Sequence, residues 1–145
     1  MPDNRSGNRT SVDTLLESTL DSVDAAETLA LEAAQTLGFD EDTQHQLGMS
    51  VREAMVNAVV HGNRYSSRKK VRFIVTGEGD RLMIQIIDQG DGFDPNGVPN
   101  PLIEENLLRQ SGRGLLLIQA FVDEFKVQRA QPGGTEVTLV KYRSQ

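Results

Sequence analysis

The sequence predicts an α+β fold, a two-layer α/β sandwich in which a mixed, mostly antiparallel sheet carries helices on one face. Three observations point there. Two early segments place apolar residues at helical spacing, two later pairs of alternating segments read as hairpins, and one short apolar helix sits between those pairs. The chain has 145 residues, close to the roughly 150 residues of a single domain.

Residues 1–11 are polar and are read as a flexible tail, leaving 12–145 as one domain. Leu15, Leu16 and Leu20 are placed on a first short strand. Asp21 or Ser22 then serves as N-cap for a helix whose face is Val23, Ala26, Leu29, Ala30, Ala33 and Leu37, and Gly38 ends it. Asp40, followed by Glu41 and Asp42, starts a second helix, because acids in the first turn favour the helix dipole. That helix runs to about His61 and stops at Gly62-Asn63. Val71 to Val75 and Leu82, Ile84 and Ile86 form a hairpin around Gly77 to Asp80. Gly114 to Phe121 reads as a helix, Glu124 to Arg129 as a strand, and Glu136 to Tyr142 as the last strand after a Pro132-Gly133-Gly134 turn. Between them, Asp88 to Pro101 is turn-rich and Asn106 to Gln110 reads as a brief helical turn; the loop to about Arg113 exceeds the roughly 12–15 residues at which structureless loops become uncommon, a length typical of lids, binding loops or disorder.

Composition excludes several classes. With no cysteine there is no disulfide, thiolate metal site or thiol catalysis, in keeping with a reducing cytoplasm. A net charge of −6 argues against a broad nucleic-acid surface, which needs clustered cations. No stretch reaches the roughly 18 apolar residues of a membrane span. Neither the P-loop pattern nor the dinucleotide glycine fingerprint is present, and His45 and His61 do not form a zinc-binding helix pair.

Three segments carry chemistry. On the second helix, Ser50, Glu53, Asn57 and His61 fall on one narrow stripe between two apolar flanks. Such a stripe suits a cleft-facing pair, and equally a surface helix facing water. The run Ile86 to Phe93 brings Asp88 to a turn where Gly90 and Gly92 let the backbone approach a ligand, although Asp-Gly turns also occur with no ligand. Ser111 to Ile118 opens an apolar helix with Gly112 and Gly114, an arrangement that frees N–H groups for phosphate or simply allows tight packing.

In order and spacing these segments resemble the signature of the GHKL ATPase superfamily, whose nucleotide site lies on the Bergerat fold. Glu53 to Asn63 is similar to its N box, Asp88 to Phe93 to its first glycine box, Gly112 to Ile118 to its second, and Gly134 to Val137 to its closing motif. Within the superfamily the chain resembles the compact RsbW-type anti-sigma-factor serine kinases, in length and in the His-Gly that follows the N-box asparagine.

The resemblance implies ATP (and ADP) and Mg²⁺ as ligands, with Asn57 supplying an oxygen to the metal. It implies Glu53 as the base or orienter for an attacking serine hydroxyl, and Asp88 as the reader of the adenine amine, helped by Gly92 and Thr135. Gly90, His61 and Leu115 join the nucleotide site, and Gly112 and Gly114 shape a lid over the phosphates. Family members often carry an arginine just before the lid Ser-Gly. Here that position is Gln110, with Arg109 and Arg113 on either side as candidate γ-phosphate contacts. The implied partners are an anti-sigma-factor antagonist of the STAS type, a sigma factor and a second copy of the chain, with neither nucleic acid nor membrane. The alternatives are a partner-switching module that holds nucleotide without transferring phosphate, and a stand-alone GHKL ATPase.

Overall fold

The computed structural model describes residues 9–90, 114–130 and 133–143. Five strands form one sheet: β1 (Arg9–Glu17), β2 (Lys70–Glu78), β3 (Arg81–Ile87), β4 (Glu124–Arg129) and β5 (Thr135–Tyr142). The helices are α1 (Leu20–Thr36), α2 (Glu41–Val56) and α3 (Gly114–Phe121), and α2 runs on into a π-helical turn over Asn57–Gly62. The strand order is β1-β2-β3-β5-β4.

Every neighbouring pair in that sheet is antiparallel, where the sequence suggests a mixed sheet. The reason is topological. The connection through α3 leaves β4 running in the direction of β3, but β5 is the strand that inserts beside β3. Same-direction strands are therefore never neighbours.

Alternation on the strands decides which face is covered. Val71, Phe73 and Val75 of β2, Leu82, Ile84 and Ile86 of β3, and Val137 and Leu139 of β5 are buried together in the core. The register puts Phe73 opposite Ile86 and Val75 opposite Ile84, so one face is continuously apolar. Against it lie the helices, with α2 packed between α1 and α3. The opposite face carries Arg72, paired with Asp13 by two hydrogen bonds of 3.0 and 2.7 Å, and Gln85 donating to Glu136 at 3.0 Å.

The helix α1 buries Val23, Ala26, Ala30, Ala33 and Leu37 as its spacing requires. Its start differs from the reading: Thr19 is the N-cap, Ser22 is buried inside the first turn, and Leu20 belongs to the helix rather than to β1. The backbone bond from Ser22 N–H to Thr19 O closes that turn at 3.1 Å. Gly38 does end the helix, at φ +85, with its N–H on Gln35 O and the Phe39 N–H on Ala34 O, both at 3.0 Å. Asp40 caps α2 as expected, its side chain accepting from Thr43 N–H at 2.7 Å. At the other end, β1 takes in Arg9 to Ser11, which the sequence places in the tail. Those residues pair with Thr76, Gly77 and Glu78, and Arg9 meets Glu78 at 3.0 Å.

Candidate functional site

The stripe on α2 is covered over Ser50 and Asn57 and opens to water at His61. Glu53 is half-buried and Asn57 is buried at 7% exposure. Neither side chain makes a hydrogen bond or ion pair among the described residues, and the polar atoms of the Asn57 amide are not sealed off from solvent. Ser50, on the same stripe, is sealed in and donates back to Gln46 O at 2.9 Å, so its hydroxyl is used by the helix itself. Opposite Glu53 stands the first residue of α3. A Cβ at Gly114 would collide with the Glu53 carboxylate, so the glycine is what lets α3 approach that side chain. Leu115 behind it is fully buried and anchors the helix to the core.

Past Asn57 the helix widens. The Asn63 N–H bonds to Ala58 O at 2.8 Å, five residues back, which inserts one residue relative to an α-helical turn. This shift changes which residue meets the strand. His61 is exposed, and Gly62 lies against Asp88 so closely that any Cβ there would strike the carboxylate.

Asp88 follows the last residue of β3 and is 6% exposed. Its Oδ1 accepts from Gly90 N–H at 2.9 Å and from Thr135 N–H at 3.1 Å. Its own N–H donates to Thr135 O at 3.0 Å. Three glycines wall it in: Gly62, Gly90, which packs on the Gly62 backbone, and Gly134, at φ +110 against the Asp88 carbonyl. Oδ2 accepts nothing among the described residues and is not sealed off from solvent. Burial is the main influence on the carboxyl and pushes its pKa up to about 6. The Gly90 and Thr135 N–H groups and nearby Lys69 oppose that rise.

The structure thus brings Glu53, Asn57, Gly114 and Leu115 together at one end, and Asp88, Gly90 and Thr135 at the other. Gly92, Arg109, Gly112 and Arg113 lie outside the described residues. The role of Gly62 is not announced by the helical wheel, since only the π turn brings it to Asp88. Gly134 carries a clearer signal, standing in a Gly-Gly pair before the last strand. A cleft of about 630 Å³ reaches Asp88 and Gly90 from the side of Leu15, Lys70, Arg72 and Gln89, and neither Glu53 nor Asn57 lines it.

Two polar side chains one helical turn apart, without side-chain partners among the described residues, and a carboxylate caged by glycines make up the candidate site. Residues 16–141 match the histidine kinase-like ATPase domain family. The chain is 32% identical over 115 residues to the serine-protein kinase RsbW of Bacillus velezensis, covering 75% of this chain and 71% of that protein. It is 30% identical over 115 residues to the RsbW of Bacillus subtilis, with the same coverage. An anti-sigma F factor of Thermoanaerobacter pseudethanolicus is 32% identical over 97 residues, covering 64% of this chain and 66% of that one. A solved structure of the RsbU and RsbW domains of a Mycobacterium tuberculosis protein superposes with a TM-score of 0.64 at 18% identity, over 94% of this chain and 32% of that one. The chain belongs to the histidine kinase-like ATPase domain family, in its RsbW-type branch.

Proposed function

We propose that this protein is an ATP-dependent serine kinase that acts as an anti-sigma regulatory factor, phosphorylating a STAS-type antagonist and binding a sigma factor in a partner-switching system. The observation that carries the proposal is the pairing of two ends. Glu53 and Asn57 hold unused polar atoms at the helix, and Asp88 holds an open Oδ2 at the strand. A nucleotide bound by its base at Asp88 and by its phosphates beside Asn57 uses both.

The donor set suits Mg²⁺. Among the described residues no group of three His, Cys, Asp or Glu gathers to cage a metal. Mg²⁺ commonly takes one or two protein oxygens and completes its shell with phosphates and water, so the lone Asn57 amide oxygen fits. When bound, the ion neutralises phosphate charge. The Glu53 carboxylate, a turn earlier, orients or deprotonates the incoming serine hydroxyl, since phosphoryl transfer demands alignment and charge neutralisation above all. Asp88 accepts from the adenine amine through Oδ2 while Oδ1 stays fixed by the two N–H groups. Thr135 supports that contact, and Arg109 or Arg113 supplies a cation to the γ-phosphate.

Among the described residues no helix is long and apolar enough to cross a membrane. Homodimerisation through β1 and α1 is supported by β1 standing at the sheet edge, with Leu15 65% and Leu20 52% exposed.

Incubation with γ-labelled ATP and a serine-bearing STAS-type antagonist tests the proposal. Label on the antagonist is the expected result. Release of phosphate without labelled partner points instead to a stand-alone ATPase, and neither points to a binding module. Asn57→Ala is expected to weaken Mg-ATP binding at least tenfold in titration calorimetry, with no change in magnesium-free affinity. An unaltered Mg²⁺-dependent affinity removes Asn57 as a ligand.

A further inference from the structure

Asn63 closes the π turn and is 1% exposed. All of its hydrogen-bonding groups are engaged. The backbone N–H reaches Ala58 O at 2.8 Å, and the carbonyl accepts from Ser66 N–H at 3.0 Å. The side-chain Nδ2 donates to Ser18 Oγ at 2.9 Å and to Lys70 O at 3.0 Å. The remaining acceptor, Oδ1, takes the Gln89 N–H at 2.7 Å. The network then closes on itself, because Lys70 N–H donates to Gln89 Oε1 at 2.6 Å and the Ser18 hydroxyl donates to Lys69 O at 2.5 Å. One buried amide therefore joins the end of the α2 helix, the β1–α1 junction, the start of β2 and the end of β3.

Gln89 is the residue next to Asp88. Among the described residues, the bond from its N–H to Asn63 is the hydrogen bond that links the helical segment bearing Asn57 to the strand end bearing Asp88. Among the described residues they also meet through Gly62 against the Asp88 carboxylate, Gly90 on the Gly62 backbone, and apolar packing beneath. Packing is non-directional and tolerates small slides, whereas a part-buried hydrogen bond of 2.7 Å sets both distance and angle. The chain also turns through left-handed Arg64 and Tyr65, at φ 52 and φ 60, immediately after Asn63. That conformation is costly for residues with a Cβ, and such strain persists where the surroundings over-determine it.

We infer that Asn63 is a positioning residue for Asp88: it sets where the adenine-reading carboxylate stands relative to the phosphate end of the site. The inference rests on the nucleotide reading above. Asn63 touches no nucleotide in this arrangement and acts through the Gln89 amide. Its signature is selectivity for the base amine, because a merely structural residue would weaken all nucleotides alike.

The test measures the affinities of the full chain for ATP and for ITP, whose base presents an oxygen in place of the amine. The wild type is expected to prefer ATP. Asn63→Ala is expected to cut that preference by about tenfold, roughly the effect of one misaligned hydrogen bond, while ITP affinity changes less than threefold. If Asn63→Ala does not fold, replacing Gln89 by its α-hydroxy analogue removes the same donor from the exposed side and is expected to lower the preference equally. A variant whose ATP-to-ITP ratio equals that of the wild type overturns the role of Asn63 and leaves the nucleotide site standing. A wild type with no preference for ATP overturns the reading of Asp88 itself, and the role of Asn63 with it.

Discussion

Replacing Glu53 with alanine is expected to leave nucleotide binding intact while phosphoryl transfer slows by about 10²-fold or more, the scale of lost acid–base catalysis. The separation of effects follows from the side chain's surroundings. The Glu53 side chain makes no hydrogen bond or ion pair among the described residues, so its truncation breaks no polar contact that holds the fold. It lies against the Gly114 backbone at the start of α3, a wall that a smaller side chain leaves in place. Asn57, a turn later, keeps its amide. Thermal unfolding and ATP affinity are the controls, and label on the antagonist is the readout. Transfer at the wild-type rate would remove Glu53 from the chemistry.

The second large effect is expected at Asp88, where function and stability pull in opposite directions. Burial raises the folded-state pKa from 3.8 to about 6, with the Gly90 and Thr135 N–H groups resisting. At 1.36 kcal/mol per unit, ionising this carboxyl in the fold costs on the order of 3 kcal/mol. The sign follows from proton counting. Between pH 3.8 and about 6 the folded chain holds a proton that the unfolded chain has released. This contribution to stability is therefore complete below the lower value and is lost as pH rises through the upper one. Asp88→Asn retains an oxygen for the two N–H groups and carries no charge. The variant is expected to gain up to about 3 kcal/mol over the wild type at neutral pH in urea unfolding, and close to nothing near pH 4. It is also expected to bind ATP about 10- to 100-fold more weakly, because an N–H₂ donor then stands where Oδ2 would accept the adenine amine. A gain that does not vary with pH would show that Asp88 is not the titrating group. Undiminished ATP affinity would remove it from base recognition.

Much of this site is legible along the chain. The spacing of Glu53 and Asn57 places both on one helical stripe, and Asp40 and Gly38 mark the helix boundary, because caps and periodicity are local properties. The glycines near Asp88 are legible too, but the close approach seen at Gly90 and Gly134 is to the backbone of Gly62 and Asp88, a chain-to-chain contact that the sequence does not specify. The open choice between a cleft-facing and a water-facing stripe is a different matter. It is decided by α3 packing on α2 from more than fifty residues away.

By itself, the sequence determined the elements, their order and the chemical types available at each, since each depends on neighbours within a turn or two. The tertiary structure decided the rest. It put β5 rather than β4 beside β3, widened the last turn of α2 so that Gly62 meets Asp88 and His61 does not, and buried Asp88 enough to move its titration toward neutrality. It also gave Asn63 its partners at Ser18 and Gln89. These outcomes share one physical cause: burial and hydrogen-bond closure join residues 26 to 47 positions apart, as in Asn63 with Gln89 and Asp88 with Thr135, a range that local periodicity does not encode.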